Sequence, residues 1–485
     1  MGRDRSGEGM HSLLLGLLPL AAGCSEDLEA LARKVERNYA GYHLEVLGER
    51  RVQYDRHLSM LRTRAAGMQG DDCYFVLRAF VNWFGDPHLF VFQSTRLDSG
   101  ETASRAAAVE RTDLTESRVR EYLAGRRDSL DPLEGIWFDG KLRVAIVPRG
   151  QGVSELIAVV LTSDTAIWPV GAVRGWFSRS GAGRYEGEVS ERNFARRRVQ
   201  ATLHKRVLLR LSPGIWGKQF PLAPSDSGLV DAADPHRATM LVRGKTLLLS
   251  IPSHDPTYRR ALDSLIERHT SALRRAERLI VDLRGNEGGS SATTTKLMPY
   301  ITSTRQRPPP LPDKPAVILS SEDQIAYVQR TFVSGRDTLP ATRRLLNRLR
   351  SNPGRLVLLE DSRDRRPSAQ PSSMSRGPTR VGIIVDRGTV SAAEAFLVRA
   401  MRSTRVTVFG ENTAGALDYL SVAIVPFQAE RPGRWLLGYP TIAAHADLPA
   451  GGIRGKGLEP QVRLDLEKEE DVVGRVDSAL MASRR

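Results

Sequence analysis

One alternation limits what this chain can fold into. Runs of strand length at 246–251, 279–282, 381–385 and 406–409 are separated by stretches of helical character at 258–275, 293–301 and 392–401. Strands joined through helices return to the same sheet and pair in parallel. Residues 236–485 are therefore predicted to form an α/β core around a mostly parallel sheet. Further strands are expected at 317–319 and 356–359, and Pro-, Ser- and Arg-rich stretches at 305–312 and 361–379 read as loops.

The chain has 485 residues, too many for one hydrophobic core. Residues 24–128 read as a helical N-terminal region, with one apolar segment at 72–84 stopped by Gly85-Asp86-Pro87-His88. Residues 129–228 carry short strand-like runs divided by Gly, Pro, Asp and Ser, the pattern of a small antiparallel β module or barrel. Gly135-Ile136-Trp137 opens it and Gly214-Ile215-Trp216 nearly closes it; a packing tryptophan in a β core is the expectation.

The net charge is +15, from 71 basic and 56 acidic residues, and the basic residues are spread along the chain. The densest cluster, Arg196-Arg197-Arg198 with Lys205-Arg206, lacks interleaved aromatics. A solvated arginine-rich surface is expected, with no nucleic-acid partner. There are two cysteines, Cys24 and Cys73, too few for a disulfide scaffold or a cysteine metal site. His204, His254 and His445 show no ligand spacing, so no metal or cofactor is expected. Residues 1–23 read as a signal peptide, with Arg3 and Arg5 ahead of a short apolar run. Leu20-Ala21-Ala22-Gly23-Cys24 resembles a lipoprotein box, which implies export and a lipid anchor on Cys24 in a bacterial cell envelope.

Two turns carry chemistry. In Thr389-Val390-Ser391-Ala392-Ala393-Glu394, Ser391 follows a strand and opens a helix. Free N–H groups and the helix dipole favour negative charge there, which suits a nucleophile; the same residue also suits an N-cap. In Asp282-Leu283-Arg284-Gly285-Asn286-Glu287-Gly288-Gly289, the glycines let a ligand approach the backbone amides. No Gly-Lys-Ser/Thr closes this turn, so it is not a phosphate-binding Walker loop.

Together these motifs resemble the S41 serine peptidases, the C-terminal-processing or tail-specific group. The glycine turn, the Asp386 to Glu394 segment, Gly410-Glu411-Asn412-Thr413-Ala414-Gly415 and Gly455-Lys456-Gly457-Leu458-Glu459-Pro460 occur in the family's order over about residues 240–470. Gly85-Asp86-Pro87-His88 is similar to the Asp-x-His turn that ends the family's N-terminal helical region. The resemblance implies a crotonase- or ClpP-like core and a peptide or protein substrate. It departs at one place. The family's catalytic lysine would fall at Ala416 and its glutamine at Leu420. No PDZ domain is recognisable either. The chain thus looks closer to the Ser–His, tricorn core-like members, whose histidine comes from the N-terminal region.

On that reading Ser391 is the nucleophile and His88 the general base. A carboxylate orients the imidazole, Glu459 first, with Asp86 and Glu394 behind it. The N–H groups of Gly288, or Gly289, and Ala392 hold the oxyanion. Arg284 and Glu411 read as structural ion pairs. The rival expectation is a peptide- or ligand-binding protein that has the fold without the catalysis. Oligomeric state is not legible in these residues.

Overall fold

The computed structural model describes residues 23–68, 72–93, 99–150, 154–163, 168–191, 194, 196–211, 214–330, 340–360, 377–427 and 435–482. The apolar run of the expected signal peptide lies outside them, as does most of the 361–379 loop.

Six strands build the sheet that carries the site. Thr239–Arg243 pairs antiparallel with Thr246–Ser250. From there the order runs Thr246–Ser250, Arg278–Asp282, Arg380–Val385, Val406–Gly410 and Val462–Arg463, every neighbour parallel. Successive side chains point to opposite faces. Leu279, Val281, Val381 and Ile383 pack with Phe396, Leu397 and Ala400 of helix Ala392–Met401. Ile280, Ile384 and Phe409 pack with Val473, Val476 and Leu480 of helix Val472–Ala482. Cover on both faces explains why these strands are apolar at nearly every position.

A second sheet contains Phe90–Gln93, Trp435–Ala443, Val317–Leu319 and Leu356–Leu358, with Tyr419–Pro426 also paired to Trp435–Ala443. The N-terminal helices Cys24–Asn38, Gly48–Ala65 and Cys73–Asn82 pack on it. Leu28, Leu31, Leu61 and Phe80 share one core with Tyr419, Leu437 and Tyr439. These three helices are thus built into the second sheet, whereas helix Glu116–Gly125 of the expected N-terminal region packs on the barrel, with Val119 and Leu123 against Ile136, Ala145 and Val159.

Residues 135–220 form a closed eight-stranded antiparallel barrel, sealed where Gly135–Phe138 meets Ile215–Phe220. Trp137 is fully buried inside it, and its indole N–H donates to the Leu133 carbonyl at 2.9 Å. That is the packing role expected of it.

Cys24 departs from expectation. Its sulfur is joined to Cys73 in a disulfide, and both residues are buried in the core that these helices share with the second sheet. A thioether to lipid needs that same sulfur, so Cys24 as found here is not a lipidation site. No helix among the described residues is long and apolar enough to cross a membrane.

Candidate active site

Parallel sheets place ligands beyond the carboxyl ends of their strands, and three turns converge at that edge. The glycine turn follows Arg278–Asp282, the Ser391 turn follows Arg380–Val385, and 411–416 follows Val406–Gly410. Ser391 begins helix Ala392–Met401 with φ 58° and ψ −115°. An L-residue there carries roughly 1–3 kcal/mol of strain, which persists only where the surroundings impose it.

Glu394 imposes it. It is fully buried, and its Oε2 accepts from the N–H groups of Ser391 at 3.0 Å and Ala416 at 2.9 Å. Oε1 accepts from the Gly415 N–H at 2.8 Å and the Thr413 hydroxyl at 2.5 Å. The Ser391 turn and the 413–416 turn are therefore tied through one carboxylate. All its oxygen capacity is spent there, so Glu394 does not orient a histidine.

Gly288 lies directly against the serine. A Cβ on it would fall 2.8 Å from Ser391 Cβ, 2.9 Å from the Ala392 nitrogen and 2.7 Å from the Val390 carbonyl. Its own N–H donates to Asn286 Oδ1 at 2.9 Å, which removes it as an oxyanion donor. The N–H groups of Gly289 and Ala392 have no acceptor among the described residues. His254 backs the turn: its N–H donates to the Gly288 carbonyl at 3.0 Å and its carbonyl accepts from Ser290 at 2.8 Å. Burial drives its ring down to about 4, so the side chain stays neutral. No spacing in the sequence singles out this residue.

His88 is held by the second sheet. Pairing of Phe90–Gln93 with Trp435–Ala443 brings it beside Tyr419, 331 positions downstream. His88 Nδ1 lies 2.6 Å from the Tyr419 carbonyl. A carbonyl only accepts, so Nδ1 carries the proton and the neutral ring offers its lone pair at Nε2. The His88 N–H donates to Asp86 Oδ1 at 2.9 Å, and the Tyr39 hydroxyl donates to Asp86 Oδ2 at 2.7 Å. Burial holds the Asp86 carboxyl above its ordinary range, and a charge on His88, when present, offsets part of this together with the bonds from His88 and Tyr39. Asp86 thus fixes the His88 backbone and responds to the ring's charge. The Tyr419 hydroxyl donates to Glu45 Oε1 at 2.6 Å, and Arg454 pairs with Glu45.

Glu459 is not part of this arrangement. Its side chain is 69% exposed and pairs with Arg463 at 2.7 Å. Leu458 turns inward and Glu459 outward, and the motif spacing does not reveal which one faces the core.

The barrel reaches the same edge. Lys205, fully buried, donates to Ser250 Oγ at 3.0 Å and stands 3.5 Å from Asp282. Arg284 grips Asp282 at 3.0 and 2.8 Å, as a structural pair. Burial alone would raise the Asp282 carboxyl, but Arg284 and Lys205 together bring it down to about 2. Lys205 is pulled below its ordinary range by burial, to which Arg284 adds, and the attraction of Asp282 and Asp386 does not make this up. The basic cluster is thus partly structural: Arg197 also pairs with Glu191 at 2.6 Å. Among the described residues no three His, Cys, Asp or Glu side chains are grouped to hold a metal.

A family model described as Peptidase family S41 matches residues 245–464. Among solved structures, the chain is similar to mature CPAF complexed with lactacystin, at 13% identity over 94% of this chain and 97% of that one, TM-score 0.46. It is similar to the photosystem II D1 C-terminal processing protease, at 16% identity over 95% and 98%, TM-score 0.34. A lipoprotein from Streptococcus agalactiae is similar at 11% identity over 96% and 99%, TM-score 0.35. A search of curated protein sequences gave no match.

Proposed function

Because residues 245–464 belong to peptidase family S41, we propose that this chain is a serine peptidase that cleaves peptides or unfolded protein tails through an acyl-enzyme, with Ser391 as nucleophile and His88 as base. The observation that carries this reading is the strained Ser391 turn, set against Gly288 with the Ala392 N–H free.

His88 Nε2 takes the Ser391 hydroxyl proton as Oγ attacks the substrate carbonyl. The oxyanion is received by the Ala392 and Gly289 N–H groups; each such donor is typically worth about 10²–10³ in rate. The Tyr419 carbonyl keeps the Nδ1 proton in place, and Asp86 favours the charged ring. His88 then gives its proton to the leaving amine as the C–N bond breaks. Water, deprotonated by His88, hydrolyses the ester, releasing the acid and restoring the serine. With Ala416 at the family's lysine position, no lysine takes part.

The Cys24–Cys73 bond supports placing the chain in an oxidising compartment, hence export. The rival reading, a binding protein on the same fold, rests on the absent lysine. A fluorophosphonate probe separates the two. We expect labelling that disappears in Ser391→Ala and peptide cleavage that disappears in His88→Ala. Ala416→Lys should restore nothing to the His88 variant. No labelling and no cleavage at any pH would leave only the binding protein.

A further inference from the structure

The barrel enters the core by one hairpin. Strands Arg196–His204 and Leu208–Arg210 are joined by a turn in which the Val207 N–H donates to the His204 carbonyl at 3.2 Å. Its central residues, Lys205 and Arg206, have φ of 54° and 60°. Turns with two successive residues at positive φ favour Asn and Gly, because other residues are strained there. Here a lysine and an arginine are held there, and Lys205 is buried as well. Such local strain is retained where the surrounding structure uses it.

What the turn delivers is His204. Its ring lies between the two catalytic turns. A Cβ on Gly285 would fall 2.8 Å from its Cγ, and one on Gly388 would fall 2.3 Å from its Cε1. His204 Nδ1 is 2.7 Å from Asp386 Oδ2. The other oxygen, Oδ1, accepts from the Gly285 N–H at 2.9 Å and the Gly388 N–H at 3.0 Å. Gly285 is three residues before Gly288, and Gly388 three before Ser391. A second tie, from the Val390 N–H to the Asn286 carbonyl at 2.9 Å, joins the same two turns. Burial works against the Asp386 charge, and His204, the Gly285 N–H and Arg284 outweigh it, so the carboxyl stays below its ordinary range. Arg210 supports the arrangement from the same hairpin by donating to the Gly285 carbonyl at 2.6 Å.

We propose that His204 is a positioning residue for catalysis: through Asp386 the barrel sets the spacing between Gly288 and Ser391, so the barrel is a component of the peptidase and not a separate binding module. The inference rests on the serine-peptidase reading above. It assigns His204 no contact with substrate.

The test uses the full chain with wild type, Ser391→Ala, His204→Leu, His204→Asn and His204→Gln. Rates of fluorophosphonate labelling, kcat, KM and the unfolding midpoint are measured. Misplacing a reacting group by about 1 Å costs on the order of a hundredfold, so His204→Leu should lose about that much in labelling and kcat with KM within about twofold. Asparagine carries an amide N–H near the position of Nδ1 and should restore most of the rate; glutamine, one methylene longer, should not. A His204→Leu variant that labels as fast as wild type overturns the inference, and so does equal impairment of the Asn and Leu variants. Should His204→Leu not fold, the contrast of Asn with Gln decides, and equal rates for those two overturn it. Failure of wild type itself to label is a different result, which removes the serine-peptidase reading on which the inference stands.

Discussion

Replacing Glu394 with glutamine changes one atom type and should still damage the protein. The carboxylate accepts four hydrogen bonds, two at each oxygen. With the amide NH2 at the Oε2 position, it faces the N–H groups of both Ser391 and Ala416. With the NH2 at Oε1, it faces the Gly415 N–H, and the Thr413 hydroxyl turns to accept. The second orientation is better, and it leaves one buried N–H without an acceptor, at about 1–3 kcal/mol. The bonds that survive change from charged to neutral acceptors and lose roughly half their strength. Relief of carboxylate burial offsets part of this, leaving a loss of about 2–4 kcal/mol. Glu394→Ala orphans all four donors and should cost more than Glu394→Gln. Denaturant unfolding measures the stability change, and fluorophosphonate labelling reports Ser391, whose backbone tether is weakened in Glu394→Gln and lost in Glu394→Ala. An unfolding midpoint for Glu394→Gln equal to that of wild type, with labelling at the wild-type rate, would refute the view that this carboxylate holds the nucleophile turn.

Three further outcomes follow from the same geometry. Ser391→Gly should abolish labelling yet stabilise the chain: it relieves roughly 1–3 kcal/mol of strain at φ 58°, against roughly 0.5–1 kcal/mol for added unfolded-state freedom, and a drop in the unfolding midpoint would contradict this. Gly288→Ala should fold but label about a hundredfold more slowly, since its Cβ would be driven into Ser391 Cβ and the Ala392 nitrogen at 2.8 and 2.9 Å; an unimpaired variant would detach the glycine turn from the nucleophile. Asp282 sets part of the acid limit. Its carboxyl falls from 3.8 to about 2 on folding, which corresponds to roughly 2–3 kcal/mol. Because the folded value is the lower one, this stability is present above about pH 4 and is lost as pH falls towards 2. Asp282→Asn should be weaker at neutral pH and should lose stability less steeply over that window; an unchanged slope would show that another group governs it.

The sequence by itself determined the strand and helix alternation of residues 246–410, the parallel core it implies, and the place of Ser391 at a strand-to-helix turn. Each of these is a local property, because the direction of a strand, the cover on its faces and the conformation of a turn follow from neighbouring residues. Residues 245–464 match the same family that four ordered motifs pointed to. Tertiary structure decided the rest, since partners distant in sequence meet only when sheets pair and modules dock. It put Glu459 outside, spent Glu394 on backbone amides and committed the Gly288 N–H to Asn286. It also joined Cys24 to Cys73, a pairing that depends on how two helices pack. His88 meets the Tyr419 carbonyl across 331 positions, and His204 meets Asp386 across 182. No spacing within either segment encodes those meetings: a strand pairing makes the first and a docked barrel the second.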